Sequence, residues 1–103
     1  MVNIKYLVFG DVHSNLAALE AMLEKEKSWD EVIFLGDAVV GGPQPDEVLS
    51  LLSTLNGVFI KGNHDKEALN VDLRVEKETP HAKWIQWTRR QISNANIEFL
   101  KSF

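Results

Sequence analysis

Three short apolar runs end on the same kind of residue at the same interval, and that regularity limits the folds open to this chain. Ile4 to Phe9 stops at Gly10-Asp11, Val32-Ile33-Phe34-Leu35 stops at Gly36-Asp37, and Val58-Phe59-Ile60-Lys61 stops at Gly62-Asn63. Asp11, Asp37 and Asn63 are thus spaced 26 residues apart, twice. Runs of this length, rich in Val, Ile, Phe and Tyr, read as strands. The interval holds a strand, a helix and two short loops, so the spacing predicts a βα repeat. Leu16, Leu19 and Leu23 give a helical stripe behind a Ser14 or Asn15 N-cap. Val48, Leu51, Leu52 and Leu55 give a second stripe, with Pro45 as first helical residue and Asp46 and Glu47 in a first turn that favours negative charge. Asn56-Gly57 is the expected end of that helix.

The runs do not alternate polar with apolar, which is the pattern of a parallel sheet covered on both faces. The fold class is therefore α/β, a parallel sheet built from βαβ units. Right-handed crossovers put both connecting helices on one face if the strands are laid down in one direction. The opposite face then needs another cover. After Lys66 come a charged stretch (Asp72 to Lys77), a Pro80-started helix bearing Trp84, Ile85, Trp87 and Ile92, and a last apolar segment, Ile97 to Leu100. Whether these cover the open face is not decided by their pattern. The chain has 103 residues, a length that suits one domain spanning 1–103.

Composition removes several classes. Cysteine is absent, which excludes disulfides, thiolate catalysis and Cys-based zinc sites. The net charge of -4 argues against nucleic-acid binding, which usually needs a basic stripe. No run approaches the roughly 18 apolar residues of a membrane helix. Met1 to Lys5 carries no secretory signal, so the expectation is a cytoplasmic protein with no membrane partner.

In open parallel sheets, ligands bind beyond the carboxyl ends of the strands. Asp11, His13, Asp37, Asn63 and His64 all fall there, and carboxylate, amide and imidazole donors suit Mn, Fe, Zn or Ni. The preceding glycines would let the backbone turn sharply and approach a ligand. Each residue has a plainer reading: Asp11 as a helix cap, Asp37 as a strand terminator, Asn63-His64-Asp65 as the cap and first turn of a helix. Jointly those readings require metal-capable side chains at three equivalent strand ends by coincidence. There is no Gly-rich phosphate loop with Lys-Ser/Thr and no Gly-x-Gly-x-x-Gly. Gly41-Gly42-Pro43 reads as a turn, Arg89-Arg90 as a solvated helix face, Trp84 and Trp87 as core or interface packing, and His81 as surface.

Asp11-Val12-His13, Gly36-Asp37 and Gly62-Asn63-His64-Asp65 resemble the first three signature blocks of the calcineurin-like metallophosphoesterases. The surroundings, Asp11 to Leu16 and Gly36 to Pro43, are similar to a small prokaryotic branch with diadenosine-tetraphosphatase-like and cyclic-phosphodiesterase-like members. Trp87-Thr88-Arg89 and Asn96 to Leu100 fit that branch's helices. The resemblance implies that Asp11 and His13 hold one metal, that Asp37 bridges two, and that Asn63 binds the second. It implies that His64 meets the phosphate and that Asp65 orients His64. The chemistry implied is in-line displacement at phosphorus of a phosphorylated small molecule, with manganese foremost and iron, zinc or nickel as alternatives.

The family pattern continues with a strand bearing another metal-binding His and a Gly-His-x-His block. This chain has His13, His64 and His81 and runs to Phe103. The expectation is a truncated domain, half of a four-layer αββα sandwich, whose absent half would supply the second sheet over the open face. Such a half would hold one ion weakly and would be a weak or inactive phosphoesterase. It would also pair with itself as a homo-oligomer or with a separately encoded second half. The competing reading is a non-catalytic remnant that binds a partner. A receiver domain fits less well, since no acidic pair follows the first strand and His13, Asn63 and His64 would be unused.

Overall fold

A computed structural model describes residues 3–26 and 28–103. Three strands, β1 (Tyr6–Phe9), β2 (Glu31–Phe34) and β3 (Gly57–Phe59), alternate with helices α1 (Leu16–Lys25), α2 (Pro45–Leu52) and α3 (Asn63–Asn70). Two further helices, α4 (Pro80–Gln91) and α5 (Asn94–Lys101), complete the order. The strands are parallel and lie in the order β1-β2-β3. That is the α/β architecture expected from the 26-residue repeat.

Local signals explain most boundaries. Asn15 caps α1, its side chain accepting the Ala18 N–H at 3.0 Å. Pro45 is the first residue of α2, where its missing N–H costs nothing. The helix stops at Leu52, earlier than the leucine stripe implies, and Asn56-Gly57 does not end it. Ser53 and Thr54 hydroxyls bond the Ser50 and Leu51 carbonyls and close the last turn, and Gly57 already belongs to β3. Thr79 caps α4 and Ser93 caps α5, each through its hydroxyl.

Register puts Phe9, Phe34 and Phe59 side by side on one face of the sheet. Their rings are 5.2 and 6.0 Å apart, and Phe99 and Phe103 add edge-to-face and stacked contacts. Such aromatic pairs contribute about 0.5–1.5 kcal/mol each beyond their buried area. Over this row lie Leu19 of α1, Leu49 and Leu52 of α2, Ala68 of α3, Ile85 of α4 and Leu100 of α5, all buried. The other face carries Val8, Ile33 and Val58 in register, flanked by Tyr6, Leu35 and Ile60. Val8 and Val58 are more than half exposed. The strands are apolar on both faces, as the sequence reads, but α4 and α5 join the helices of the phenylalanine face and leave the other open. Trp84 and Trp87 are about half exposed, so they are not core residues, and of the two readings only interface packing is left. Ile85 and Thr88 are the α4 residues that turn inward.

Asp46 ties α2 to α5. Its carboxylate accepts the Ser93 N–H and an Asn96 amide N–H, both at 2.8 Å. Partial burial opposes ionisation, yet the bonds from Ser93 and Asn96 outweigh it and hold the carboxyl below the usual range. A carboxyl depressed in the folded state contributes stability that is present above its ordinary pKa of 3.8 and is lost as pH falls through the folded value. Comparing chemical denaturation of the wild type with Asp46→Asn across pH should therefore show a constant gap at neutral pH. That gap should close on acidification below about pH 4. A gap unchanged down to pH 2 would contradict the assignment.

Candidate metal centre

Beyond the strand ends the backbone takes unusual shapes. Asp11, His13, Ser14, Asp37 and Val40 all have positive φ, between 49° and 73°. Non-glycine residues seldom adopt this left-handed conformation, and a β-branched residue such as Val40 does so at a real cost. Asp11 (56°) and Asp37 (62°) take nearly the same φ at equivalent points of the repeat. The two loops are zipped together: Asp11 and His13 donate their N–H groups to the Gly36 and Asp37 carbonyls at 3.0 Å, and Ser14 to Ala38 at 2.8 Å. The buried Ser14 hydroxyl accepts the Val40 N–H at 3.1 Å. Those bonds over-determine the strained residues and hold them in place.

Glycines make this approach feasible, though mainly between loops. Gly36 has φ of 110°, and a side chain there would run into the Gly62 backbone. A side chain at Gly62 would strike the Asp37 carboxylate. The glycines thus let the second and third strand-end loops touch each other.

The Asp11, His13 and Asp37 side chains converge, each offering one ligand atom within 4.8 Å of the others. His13 Nδ1 lies 3.1 Å from the Val40 carbonyl oxygen. A carbonyl only accepts, so Nδ1 carries the proton and Nε2 keeps its lone pair, the tautomer a metal-ligating histidine needs. That Nε2 stands 3.7 Å from Asp11 Oδ1, too far for a hydrogen bond and suited to two donors around one cation. Asp37 Oδ1 accepts the His64 N–H at 3.1 Å in the first turn of α3. Asn63 is the first residue of that helix, exposed and adjacent to His64. Carboxylate oxygens with one imidazole form a donor set that fits a divalent cation such as manganese. Asp11 is not the cap of α1; that role falls to Asn15.

His64 lies beside this group, its ring 5.3 Å from that of His13. Asp65 does not orient it, contrary to the expectation from the resemblance. The Asp65 carboxylate is fully buried and is taken up by four backbone N–H groups. Oδ2 accepts from Asp37 and Gly62 at 2.9 and 3.0 Å, and Oδ1 from Ala38 and Val39 at 2.9 and 3.2 Å. Burial pushes this carboxyl above the usual range, against the pull of the N–H bonds from Gly62, Val39, Asp37 and Ala38. The His64 ring is held instead by Glu67, with Nδ1 2.9 Å from Oε1. Glu67 also meets His81 Nε2 at 3.0 Å through its other oxygen. Glu67 went unnoticed in the sequence, although its i+3 spacing from His64 signals a shared helix face. His81 is at the surface as expected, and its pairing with α3 depends on how α4 packs. Arg89 is no solvated bystander: it donates to the Ala68 and Leu69 carbonyls and closes the end of α3.

Comparison with known proteins identifies the family and the fold. Residues 4–100 match the family model of calcineurin-like phosphoesterases. An uncharacterized protein of Methanocaldococcus jannaschii is 36% identical over 104 residues, covering 99% of this chain and 43% of that protein. The crystal structure of a metallophosphoesterase from Sphaerobacter thermophilus superimposes with a TM-score of 0.84 at 33% identity, over 99% of this chain and 42% of that one. A candidate diadenosine tetraphosphatase shares the fold with a TM-score of 0.71 at 24% identity, over 100% of this chain and 48% of its own. The chain spans less than half the length of each of these relatives.

Asp65→Asn replaces an acceptor of four bonds by a group that must turn an NH2 toward buried N–H donors. It should lower stability by at least about 3 kcal/mol, since hydrogen bonds to a charged group contribute about 1.5–3 kcal/mol each. Urea denaturation at neutral pH measures this, and a loss below about 1 kcal/mol would mean the four bonds do not hold the loops.

Proposed function

The chain belongs to the calcineurin-like phosphoesterase family, and from that premise we propose that it contributes to divalent-metal-dependent hydrolysis of phosphomonoesters or phosphodiesters. Membership brings divalent-metal use with it. The observation that carries the proposal is the convergence of Asp11, His13 and Asp37 at the carboxyl edge of the sheet, with His64 alongside. Asp11, His13 and Asp37 would hold one ion, with manganese the proposed metal, and Asn63 together with Asp37 would contribute to a second. The ion supplies Lewis acidity toward a phosphoryl oxygen and acidifies a water nucleophile.

The residues of this chain do the rest. The Val40 carbonyl accepts from His13 Nδ1 and leaves Nε2 as the nitrogen turned toward the ion. The N–H of His64 holds Asp37 at the helix N-terminus, where the local dipole favours the carboxylate. Glu67 fixes the His64 ring at one nitrogen and leaves the other to donate a hydrogen bond to phosphate or a proton to the leaving oxygen. Substrate is a phosphorylated small molecule.

Among the described residues Asp37 and Asn63 are the donors proposed for the second position, and we propose that these residues by themselves support only slow turnover. The row of Val8, Ile33 and Val58, with both valines more than half exposed, favours a companion reading: the open sheet face pairs with a second copy or with a second half. The non-catalytic alternative shares that face and differs in metal use.

Hydrolysis of bis-p-nitrophenyl phosphate with Mn²⁺ tests the proposal. Slow turnover should be abolished by chelation and reduced about 100-fold by Asp37→Asn, at the upper end of losses caused by disturbing a metal site. Turnover indifferent to both would sink it. Sedimentation tests the pairing: the chain should associate as concentration rises, and a Val8→Lys/Val58→Lys variant should not. A wild-type chain monomeric at the highest concentrations would rule out self-pairing.

A further inference from the structure

We propose that His64, Glu67 and His81 form a second metal site, separate from the Asp11, His13 and Asp37 group and selective for zinc. The three side chains each offer one ligand atom, and those atoms lie within 4.8 Å of one another. Glu67 is the hinge of the cluster: Oε1 is 2.9 Å from His64 Nδ1 and Oε2 is 3.0 Å from His81 Nε2. The two rings are 6.0 Å apart. Donors bound to zinc at about 2.0–2.1 Å in tetrahedral geometry stand about 3.3 Å from one another. The two His–Glu contacts, at 2.9 and 3.0 Å, lie within a few tenths of an ångström of that donor spacing.

Placement on helices supports the assignment. His64 and Glu67 are three apart in α3, so they project from one face, and His81 comes from the first turn of α4, which packs on α3. Sites built on helices keep their geometry better than sites on loops. All three side chains are partly exposed, at 34%, 37% and 59%, so an ion can enter and water can complete its shell. Two imidazoles and one carboxylate with an open position is a zinc donor set. The neighbouring group has two carboxylates and one imidazole, which suits manganese better. The two groups would sort ions by chemistry, and they meet at His64.

The test uses the purified full chain, stripped by chelation and titrated with Zn²⁺, with Co²⁺ as a spectroscopic reporter. The wild type should bind zinc, and Co²⁺ should give the intense visible band of a low-coordinate nitrogen-rich site. His81→Ala should weaken zinc binding by about tenfold or more, since disturbing even an outer partner of a metal ligand costs that much. The Asp11→Asn/Asp37→Asn variant should keep the zinc site and its cobalt band. His81 is exposed, and circular dichroism checks that its variant folds; Glu67→Gln provides a second probe with the same expected loss. Zinc affinity unchanged in both His81→Ala and Glu67→Gln would overturn the proposal. So would loss of all zinc and cobalt binding in Asp11→Asn/Asp37→Asn. Neither readout depends on turnover, so failure here leaves the phosphoesterase reading untouched.

Discussion

The arrangement of this molecule depends on one buried carboxylate. Asp65 gathers the N–H groups of Gly62, Asp37, Ala38 and Val39, and in doing so locks the end of β3 to the loop after β2. Asp37 returns the favour by accepting the N–H of His64 at the start of α3. Two carboxylates thus exchange backbone donors across the gap between neighbouring strand ends. At the α3 N-terminus the N–H groups of Gly62 and His64, which have no partner within the helix, find carboxylate oxygens. The exchange leaves the second oxygen of Asp37 directed by a rigid frame and not by its own rotamer preference.

Strain is stored where that frame meets the first strand. Five non-glycine residues with positive φ sit in the loops after β1 and β2. Each costs on the order of 1–3 kcal/mol, and the zipper between the two loops together with the Ser14–Val40 bond offsets it. The outcome is positional. The Val40 carbonyl reaches His13 Nδ1 because Val40 is held in that conformation, and Asp11 and Asp37 present similar backbone turns to a shared space. A relaxed loop would aim these side chains elsewhere.

Much of this was legible before any coordinates. The 26-residue interval carries the βα repeat and the parallel sheet, and once the strands lie in the order β1-β2-β3 the right-handed crossovers place the connecting helices on one face. The Gly-Asp and Gly-Asn endings carry the location of the site, because parallel strands place their carboxyl ends together. Other features are not legible in the sequence. The role of Asp65 was hidden because a carboxylate beside a histidine looks the same in sequence whether it faces the ring or the backbone; only the buried approach of the neighbouring loop decides. The Glu67–His81 pairing and the outward turn of Trp84 and Trp87 follow from how α4 lies on α3, which depends on packing of Ile85 and Thr88 and not on any local signal. The early end of α2 belongs to the same class, since Ser53 and Thr54 compete for carbonyls that the leucine stripe alone would assign to helix.

The uncovered sheet face and the converging donors are linked by geometry. Every described helix lies over the phenylalanine face, so Val8 and Val58 on the opposite face reach solvent beside the same strand ends that carry Asp11 and Asp37. The central claim is that these strand ends form a cation site, and anomalous diffraction from crystals of the chain grown with Mn²⁺ tests it most directly. An anomalous peak bonded to Asp11, His13 Nε2 and Asp37 is expected. Saturating Mn²⁺ with no peak there, or with peaks only elsewhere on the surface, would contradict it.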